Sequence, residues 1–283
     1  MKIALSAEST LDLSKELLQK YDINVLPFTV LLGENEYKDG EITGPDIFDY
    51  VDKNKILPRT CAINEYQYSE YFTKLREKYD AVIHITLSGK ITSSVEHAKN
   101  AASLLNNVYV VDSKSLSTGI ALLAIYARTL IKKGLDAEEV VAKLKKRREN
   151  LQVSFVVNTL NYLHKGGRCS SLVHITAALL RIKPQILLKN GEMVTGKKYF
   201  GKNSHVVRSY CADVLDEFDN PDTSIAFVTH TSASPEMVEE AKAALAEKGF
   251  TNVIETLAGA TITSHCGPKT LGILYFNDGG IND

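Results

Sequence analysis

The sequence predicts an α/β protein of two domains, an N-terminal domain with a parallel sheet over residues 1–150 and a C-terminal domain with a mixed sheet over residues 151–283. Three observations carry that reading. At 283 residues the chain is long for one compact core and comfortable for two. Roughly its first hundred residues alternate short β-branched apolar runs with amphipathic stretches, as consecutive βα units do. In the second half, Asn190-Gly191 between two apolar runs is the strongest short-range hairpin signal in the chain and introduces antiparallel pairing.

The elements follow in order. Residues 2–6 read as a strand, and the polar turn Glu8-Ser9-Thr10 leads into a helix with Leu13, Leu17 and Leu18 on one face. Residues 24–32 read as one second strand. Thr43-Gly44-Pro45-Asp46 has the N-cap and first-turn proline of a helix start, and Asn64-Glu65-Tyr66-Gln67 pairs an N-cap with Gln at N3, so two helices flank Pro58. Residues 81–87 form a buried strand, 92–105 a helix and 107–111 a strand ending in the turn Asp112-Ser113-Lys114-Ser115. The helix over 117–133, almost uncharged until its end, is buried and stopped by Gly134. The helix over 136–150 closes the first domain. Its Lys143-to-Arg148 cations sit near C-terminal carbonyls, a solvated helix end rather than a nucleic-acid patch. Beyond it come a strand over 153–158, a short helix over 161–165 stopped by Gly166-Gly167, and a helix over 170–182. The hairpin over 185–194 is followed by a helix over 203–218 and a strand over 224–229. A helix then runs from Ser234-Pro235 to Gly249, and strands over 252–256 and 271–276 complete the sheet.

Composition excludes several classes. The 33 basic and 34 acidic side chains leave a formal charge of −1, so no electrostatic footprint suggests nucleic acid or a membrane surface as partner. No apolar run approaches the roughly 20 residues of a membrane span, and the opening apolar residues are too short for a signal segment, so a cytoplasmic protein is expected. Cys61, Cys169, Cys211 and Cys266 form no CxxC pair and read as thiols, with neither a metal site nor a disulfide framework implied by spacing.

In open α/β sheets, ligands gather beyond the carboxyl ends of strands, where free helix N–H groups and hydroxyls converge. Ser88-Gly89-Lys90-Ile91-Thr92-Ser93-Ser94 follows such a strand, and its hydroxyls can accept a carboxylate or phosphate oxygen; helix capping accounts for one or two of them without any ligand. Ser9, Thr10 and Thr60 hold comparable positions. GxGxxG, GxxxxGK[ST], GxSxG and HExxH are absent, which removes local support for dinucleotide, P-loop, hydrolase and zincin readings. Gly166-Gly167-Arg168 sets a guanidinium after a flexible pair, and Thr263-Ser264-His265-Cys266-Gly267-Pro268 places an imidazole in a polar turn between two strands.

Together these segments resemble the DegV family of bacterial two-domain fatty-acid-binding proteins. The resemblance runs nearly end to end: Ser9-Thr10 with Asp12-Leu13, Leu57-Pro58-Arg59-Thr60, the Ser88-to-Ser94 loop and Val110-Val111-Asp112-Ser113-Lys114 carry its first half. Leu160-to-Arg168, Ile182-Lys183-Pro184, the Asn190-Gly191 hairpin and His265-Cys266-Gly267-Pro268 carry its second. It implies the DegV fold and a long-chain fatty acid whose carboxylate sits between the domains, held by Thr60 and by Thr92 or Ser93, with Ser94 in the same loop also a ligand-binding candidate. It further implies that Arg168 and His265 lie beside the carboxylate and serve phosphoryl transfer. On that reading the chain is no enzyme itself and holds no cofactor. It presents the acid to a separate fatty acid kinase that makes acyl-phosphate for phospholipid synthesis. The helix over 172–182, rich in Leu, Val, Ile and Ala, is the expected tunnel wall.

The chain departs from the family pattern at Glu8, where Asp is usual, at Thr60-Cys61-Ala62-Ile63, and at Thr92-Ser93-Ser94-Val95, where a glycine is lost. Cys61, Cys169 and Cys266 each follow a candidate site residue, so a cysteine-based metal or redox sensor is one alternative function. A phosphotransfer enzyme working through His265 is another.

Overall fold

The computed structural model describes residues 1–168 and 182–280. In chain order, the first half contains β1 (Ile3–Glu8), α1 (Lys15–Lys20), β2 (Ile23–Leu26), β3 (Thr29–Leu32), β4 (Asn35–Lys38), α2 (Gly44–Asn54), β5 (Arg59–Cys61), α3 (Glu65–Arg76), β6 (Ala81–Thr86), α4 (Ser94–Ser103), β7 (Val108–Asp112), α5 (Thr118–Lys132) and α6 (Ala137–Arg147). The second half contains β8 (Leu151–Val156), α7 (Asn161–Gly166), β9 (Lys183–Lys189), β10 (Glu192–Tyr199), α8 (Asn203–Glu217), β11 (Ala226–His230), α9 (Pro235–Glu247), β12 (Val253–Leu257), α10 (Ala260–Cys266) and β13 (Leu271–Phe276).

The first half builds a parallel sheet in the order β2-β1-β6-β7. β1 and β6 are buried along their whole length, the pattern of central parallel strands covered on both faces. The second half builds a six-stranded mixed sheet, β10-β9-β8-β13-β11-β12, in which only β11 and β12 run parallel among the described pairs. The hairpin between β9 and β10 turns on Asn190 and Gly191, both at positive φ (52° and 85°), as a two-residue primed turn requires. The Thr43 N-cap with its first-turn proline and the Asn64 N-cap with Gln67 at N3 form as the sequence predicts, each as a capping box.

Two expectations are corrected. Residues 24–32 are not one strand: β2 joins the parallel sheet, whereas β3 joins a small antiparallel sheet in the order β4-β3-β5. Pro27 brings no N–H to a ladder, and the next amide, Phe28 N–H, donates to Ser9 Oγ at 3.0 Å, so the chain changes sheet there. Residues 263–266, read as a turn, belong to α10. Its Thr-rich, β-branched sequence has poor helix propensity, and tertiary contacts described below hold it. The expected helix over 92–105 begins at Ser94, leaving Thr92 and Ser93 in the preceding loop. The expected tunnel helix over 170–182 and Cys169 lie outside the described residues, Ile182 excepted.

The small sheet packs α2 against α10: Val30, Leu32 and Ile47 share a buried cluster with Ala260. α5 lies between the two large sheets, so that Leu5, Ile83, Ile120 and Leu123 form one continuous core with Val153, Phe155 and Leu274.

Candidate functional site

Where the loop before α4, strand β5, the end of α7, the β9–β10 hairpin and helix α10 meet, they enclose a cavity of about 150 Å³. Residues from both halves of the chain line it. Phe28, Leu87, Leu116, Leu163, Met193 and Ile262 supply an apolar wall, and Thr60, Thr92, Ser93, Arg168, Thr261 and His265 supply polar groups. The hairpin is fixed there because Ser88 Oγ donates to Gly191 O at 2.8 Å. A Cβ on Gly191 would meet that hydroxyl at 2.5 Å, so the close approach requires glycine.

Thr60 and His265, 205 residues apart, are joined by a 2.8 Å hydrogen bond between Oγ1 and Nε2. Burial, with the nearby Arg168 charge adding to it, lowers His265 to about 4, so its ring is neutral at neutral pH. Its Nδ1 is buried with no hydrogen-bond partner among the described residues and faces Gly166, where a Cβ would come within 2.6 Å. An N–H aimed at that carbon would be an unsatisfied donor, so the favoured tautomer carries its proton on Nε2 and donates to Thr60. The Thr60 hydroxyl proton is then free for a ligand. Arg168 is exposed, and its Nη1 donates to Gly166 O at 2.6 Å, which turns the guanidinium back toward the same corner.

In the second loop, Ser93 is exposed and lines the cavity, and Thr92 lines it while partly covered. Ser94 is buried and does not line the cavity; its Oγ accepts from Ile63 N–H at 3.2 Å and pairs with Thr92 Oγ1 at 3.0 Å. Behind it lies Glu8, wholly buried at the end of β1, which accepts from Tyr68 OH and, at 2.6 Å, from Leu87 N–H.

Two carboxylates from the first half hold α10 in place. Gly259 N–H donates to Asp12 Oδ1 at 2.9 Å and Ala260 N–H to Asp39 Oδ1 at 2.8 Å, while Ser117 Oγ donates to Asp12 at 2.5 Å and Ser9 Oγ to Asp39 at 2.9 Å. Gly259 has no side chain with which to cap the helix, and these aspartates satisfy its first amides from across the molecule. Burial pushes the Asp12 carboxyl up to about 8, opposed by its hydrogen bonds from Ser117 and Gly259 and reinforced by Asp39. Further along α10, Ser264 Oγ donates to Ala260 O at 2.7 Å, and the helix carries His265 to the cavity at its last turn.

The structure therefore brings Thr60, Thr92, Ser93, Arg168 and His265 to one cavity and sets Ser94 one layer behind. The sequence reading does not single out Phe28, Met193 or Thr261; isolated apolar or hydroxyl residues carry no local pattern that marks a cavity. Of the three cysteines beside site residues, Cys266 is buried and lines the cavity, Cys61 is exposed, and Cys169 lies outside the described residues. Among the described residues, no group of three or more His, Cys, Asp or Glu is placed to hold a metal ion.

An α/β protein with a parallel sheet, a mixed sheet and a hydroxyl-rimmed apolar cavity lined from both halves is a small-ligand-binding architecture. Comparison with known proteins gives the family. The model described as "Uncharacterised protein, DegV family" matches residues 2–278, and the chain belongs to the DegV family. It is similar to a Thermus thermophilus protein whose structure is described as fatty acid binding of a DegV family protein, with 27% identity, TM-score 0.90 and coverage of 98% of this chain and 99% of that one. Bacillus subtilis DegV, described as a fatty acid binding protein, is 26% identical with TM-score 0.85 over 98% and 99% of the two chains. A Thermotoga maritima relative named fatty acid-binding protein is 29% identical over 281 residues, 96% of each.

Proposed function

We propose that the protein binds a long-chain fatty acid and presents its carboxylate to a separate ATP-dependent kinase that forms acyl-phosphate. The observation that carries this reading is the union, in one cavity, of paired hydroxyls from Thr60 and the Thr92–Ser93 loop with an apolar wall. Relatives described as fatty acid binding support it. The two proposed domains, residues 1–150 and 151–283, each supply one side: the first the hydroxyls, the second Arg168 and His265. The tail sets affinity, since each buried methylene yields about 0.8 kcal/mol. A charge-assisted hydrogen bond adds only about 1.5 to 3 kcal/mol, so the hydroxyls chiefly fix where the carboxylate points.

Phosphoryl transfer to a carboxylate needs positioning and charge neutralisation more than covalent chemistry. Arg168 clamps the transferring oxygens, and His265 orients the acid through Thr60. The chain thus acts as a cytoplasmic carrier subunit rather than an enzyme. The direct test is to denature the purified protein, extract it with organic solvent and identify released lipid by mass spectrometry, beside an unrelated control protein. Stoichiometric fatty acid supports the reading; an extract that stays empty after incubation with long-chain acids rejects it. Arg168→Ala and His265→Ala are expected to keep lipid while losing kinase-dependent acyl-phosphate, and equal loss of lipid in both would reject the division of labour.

A further inference from the structure

Thr261 brings to the cavity a polar group that the head-group site does not use. It lines the cavity and is 4% exposed, and its Oγ1 is buried with no hydrogen-bond partner among the described residues. The other two hydroxyls of α10 are satisfied by backbone: Thr263 Oγ1 donates to Ala258 O at 3.2 Å and Ser264 Oγ to Ala260 O at 2.7 Å. Thr261 has no such outlet. A helical threonine can return its proton to the carbonyl four residues earlier, but Thr261 is second in its helix and the residue at that position, Leu257, belongs to β12. A β-branched side chain has few rotamers, so this hydroxyl depends on whatever fills the cavity for a partner.

Its place along α10 sets it apart from the head group. Thr261 and His265 are four residues apart and share a helix face, about 6 Å from each other along the axis. His265 closes that face beside Thr60, where the carboxylate is proposed to sit. The other end of the helix is tied to Phe28: Ala260 N–H donates to Asp39 Oδ1 at 2.8 Å, and Asp39 N–H donates to Phe28 O at 2.8 Å. Phe28 lines the same cavity, so Thr261 is a hydroxyl set at the apolar end of this face.

We propose that Thr261 is a specificity-determining residue, and that the acid this chain prefers carries an oxygen close to its carboxylate, as a 3-hydroxy fatty acid does. The proposal rests on the fatty-acid reading and names its substrate class. With the carboxylate on Thr60, a hydrogen bond of about 2.8 Å at each end lets the short span from carboxylate to C3 oxygen bridge one helical turn. Two hydroxyls can pair with either one as donor, so the contact forms whichever way the Thr261 proton points. A plain acid offers hydrocarbon at that level and leaves Thr261 Oγ1 unpaired in a water-excluded site, and that loss is what discriminates.

The test is calorimetric titration of the full chain, delipidated, with dodecanoate, each enantiomer of 3-hydroxydodecanoate, and ω-hydroxydodecanoate, whose oxygen lies at the far end. Wild type is expected to bind the better 3-hydroxy enantiomer about tenfold more tightly than dodecanoate, and the ω-hydroxy acid no more tightly than dodecanoate. Thr261→Val keeps the branched shape without the hydroxyl, and is expected to bring the two affinities within about twofold while binding dodecanoate no more weakly than wild type does. Thr261→Ser retains the hydroxyl and is expected to retain the preference; Thr261→Ala reads the same loss as valine should the valine variant not fold. Equal wild-type affinities for dodecanoate and both 3-hydroxy enantiomers, a preference that survives the loss of the hydroxyl, or an equal preference for the ω-hydroxy acid each overturns the role of Thr261 and leaves fatty-acid binding standing. No binding of any of the acids overturns the fatty-acid reading and the role of Thr261 with it.

Discussion

At the scale of single residues, the site depends on contacts that the sequence half discloses. Thr92, Ser93, Arg168 and His265 are visible because hydroxyls, a guanidinium and an imidazole near glycines stand out from their surroundings, whereas Thr60 is weak alone and is marked by the family resemblance of Leu57-Pro58-Arg59-Thr60. Their mutual arrangement is not visible, since the Thr60–His265 bond spans 205 residues. Gly166 shows the difference. In the sequence it is half of a helix-stopping pair, whereas in the structure it is the residue that leaves room for His265 Nδ1. Gly166→Ala places a methyl 2.6 Å from that nitrogen and must push the ring off Thr60. Because alanine favours a helix over glycine by about 1 kcal/mol, the variant is expected to unfold within about 1 kcal/mol of wild type. Fatty-acid affinity is expected to drop by at most about tenfold, one hydrogen bond's worth, with a larger drop in kinase-dependent acyl-phosphate. Calorimetric titration beside a kinase assay reads both; unchanged acyl-phosphate would show that the His265–Thr60 pair does not position the acid.

Among the elements, α10 is the one the sequence hides. Four of its seven residues, Thr261, Ile262, Thr263 and Ser264, are β-branched or hydroxyl-bearing, the segment shows no usable period, and its caps come from Asp12 and Asp39, more than 200 residues away. The strands of the two large sheets and the long helices are legible because burial gives them a pattern, and the Asn190-Gly191 turn because its backbone admits few residues, whereas the short, largely exposed β4 and β5 carry no such pattern and are not read. The break at Pro27 was missed because an extended chain looks alike whichever sheet it enters. Asp39→Ala removes one trans cap and is expected to cost about 0.5 to 2 kcal/mol of stability in chemical denaturation. It should also loosen His265 at the far end of the same helix, seen as weaker head-group discrimination between dodecanoate and dodecanol. Asp12 adds a pH signature. Its folded carboxyl is raised from 3.8 to about 8, so its contribution is fully present below about pH 4 and is lost as pH rises through about 8. Asp12→Asn should therefore flatten part of the stability decline between those values, and a variant with the wild-type slope would count against a raised Asp12.

For the whole molecule, the change of sheet follows α6 and its succeeding turn, and β8 opens the mixed sheet at Leu151. Yet the packing does not divide at that point. α5 is buried on several sides, with Ile120, Leu123 and Ala127 in the same core as Val153, Phe155 and Leu274, and Thr118 Oγ1 lies 2.6 Å from Thr229 Oγ1. Arg147 sits 3.9 Å from the Phe276 ring and pairs with Asp222 at 2.5 Å and Asp278 at 3.0 Å. Removing residues 151–283 would expose one apolar flank of α5, leave Arg147 without its carboxylates and strip Asp12 and Asp39 of the α10 amides. Unpaired groups of that kind destabilise by several kcal/mol together, comparable with the whole stability of a domain. Residues 1–150 expressed alone are therefore expected to be loosely packed or aggregated, with weak near-ultraviolet circular dichroism, whereas the full chain unfolds in one transition. Bound fatty acid, touching both sides of the cavity, should raise that transition, by about 2.7 kcal/mol at a hundred times its dissociation constant. A fragment that folded cooperatively and kept native-like packing would mean that the two halves are independent bodies, and the ligand's stabilising effect would then be confined to their junction.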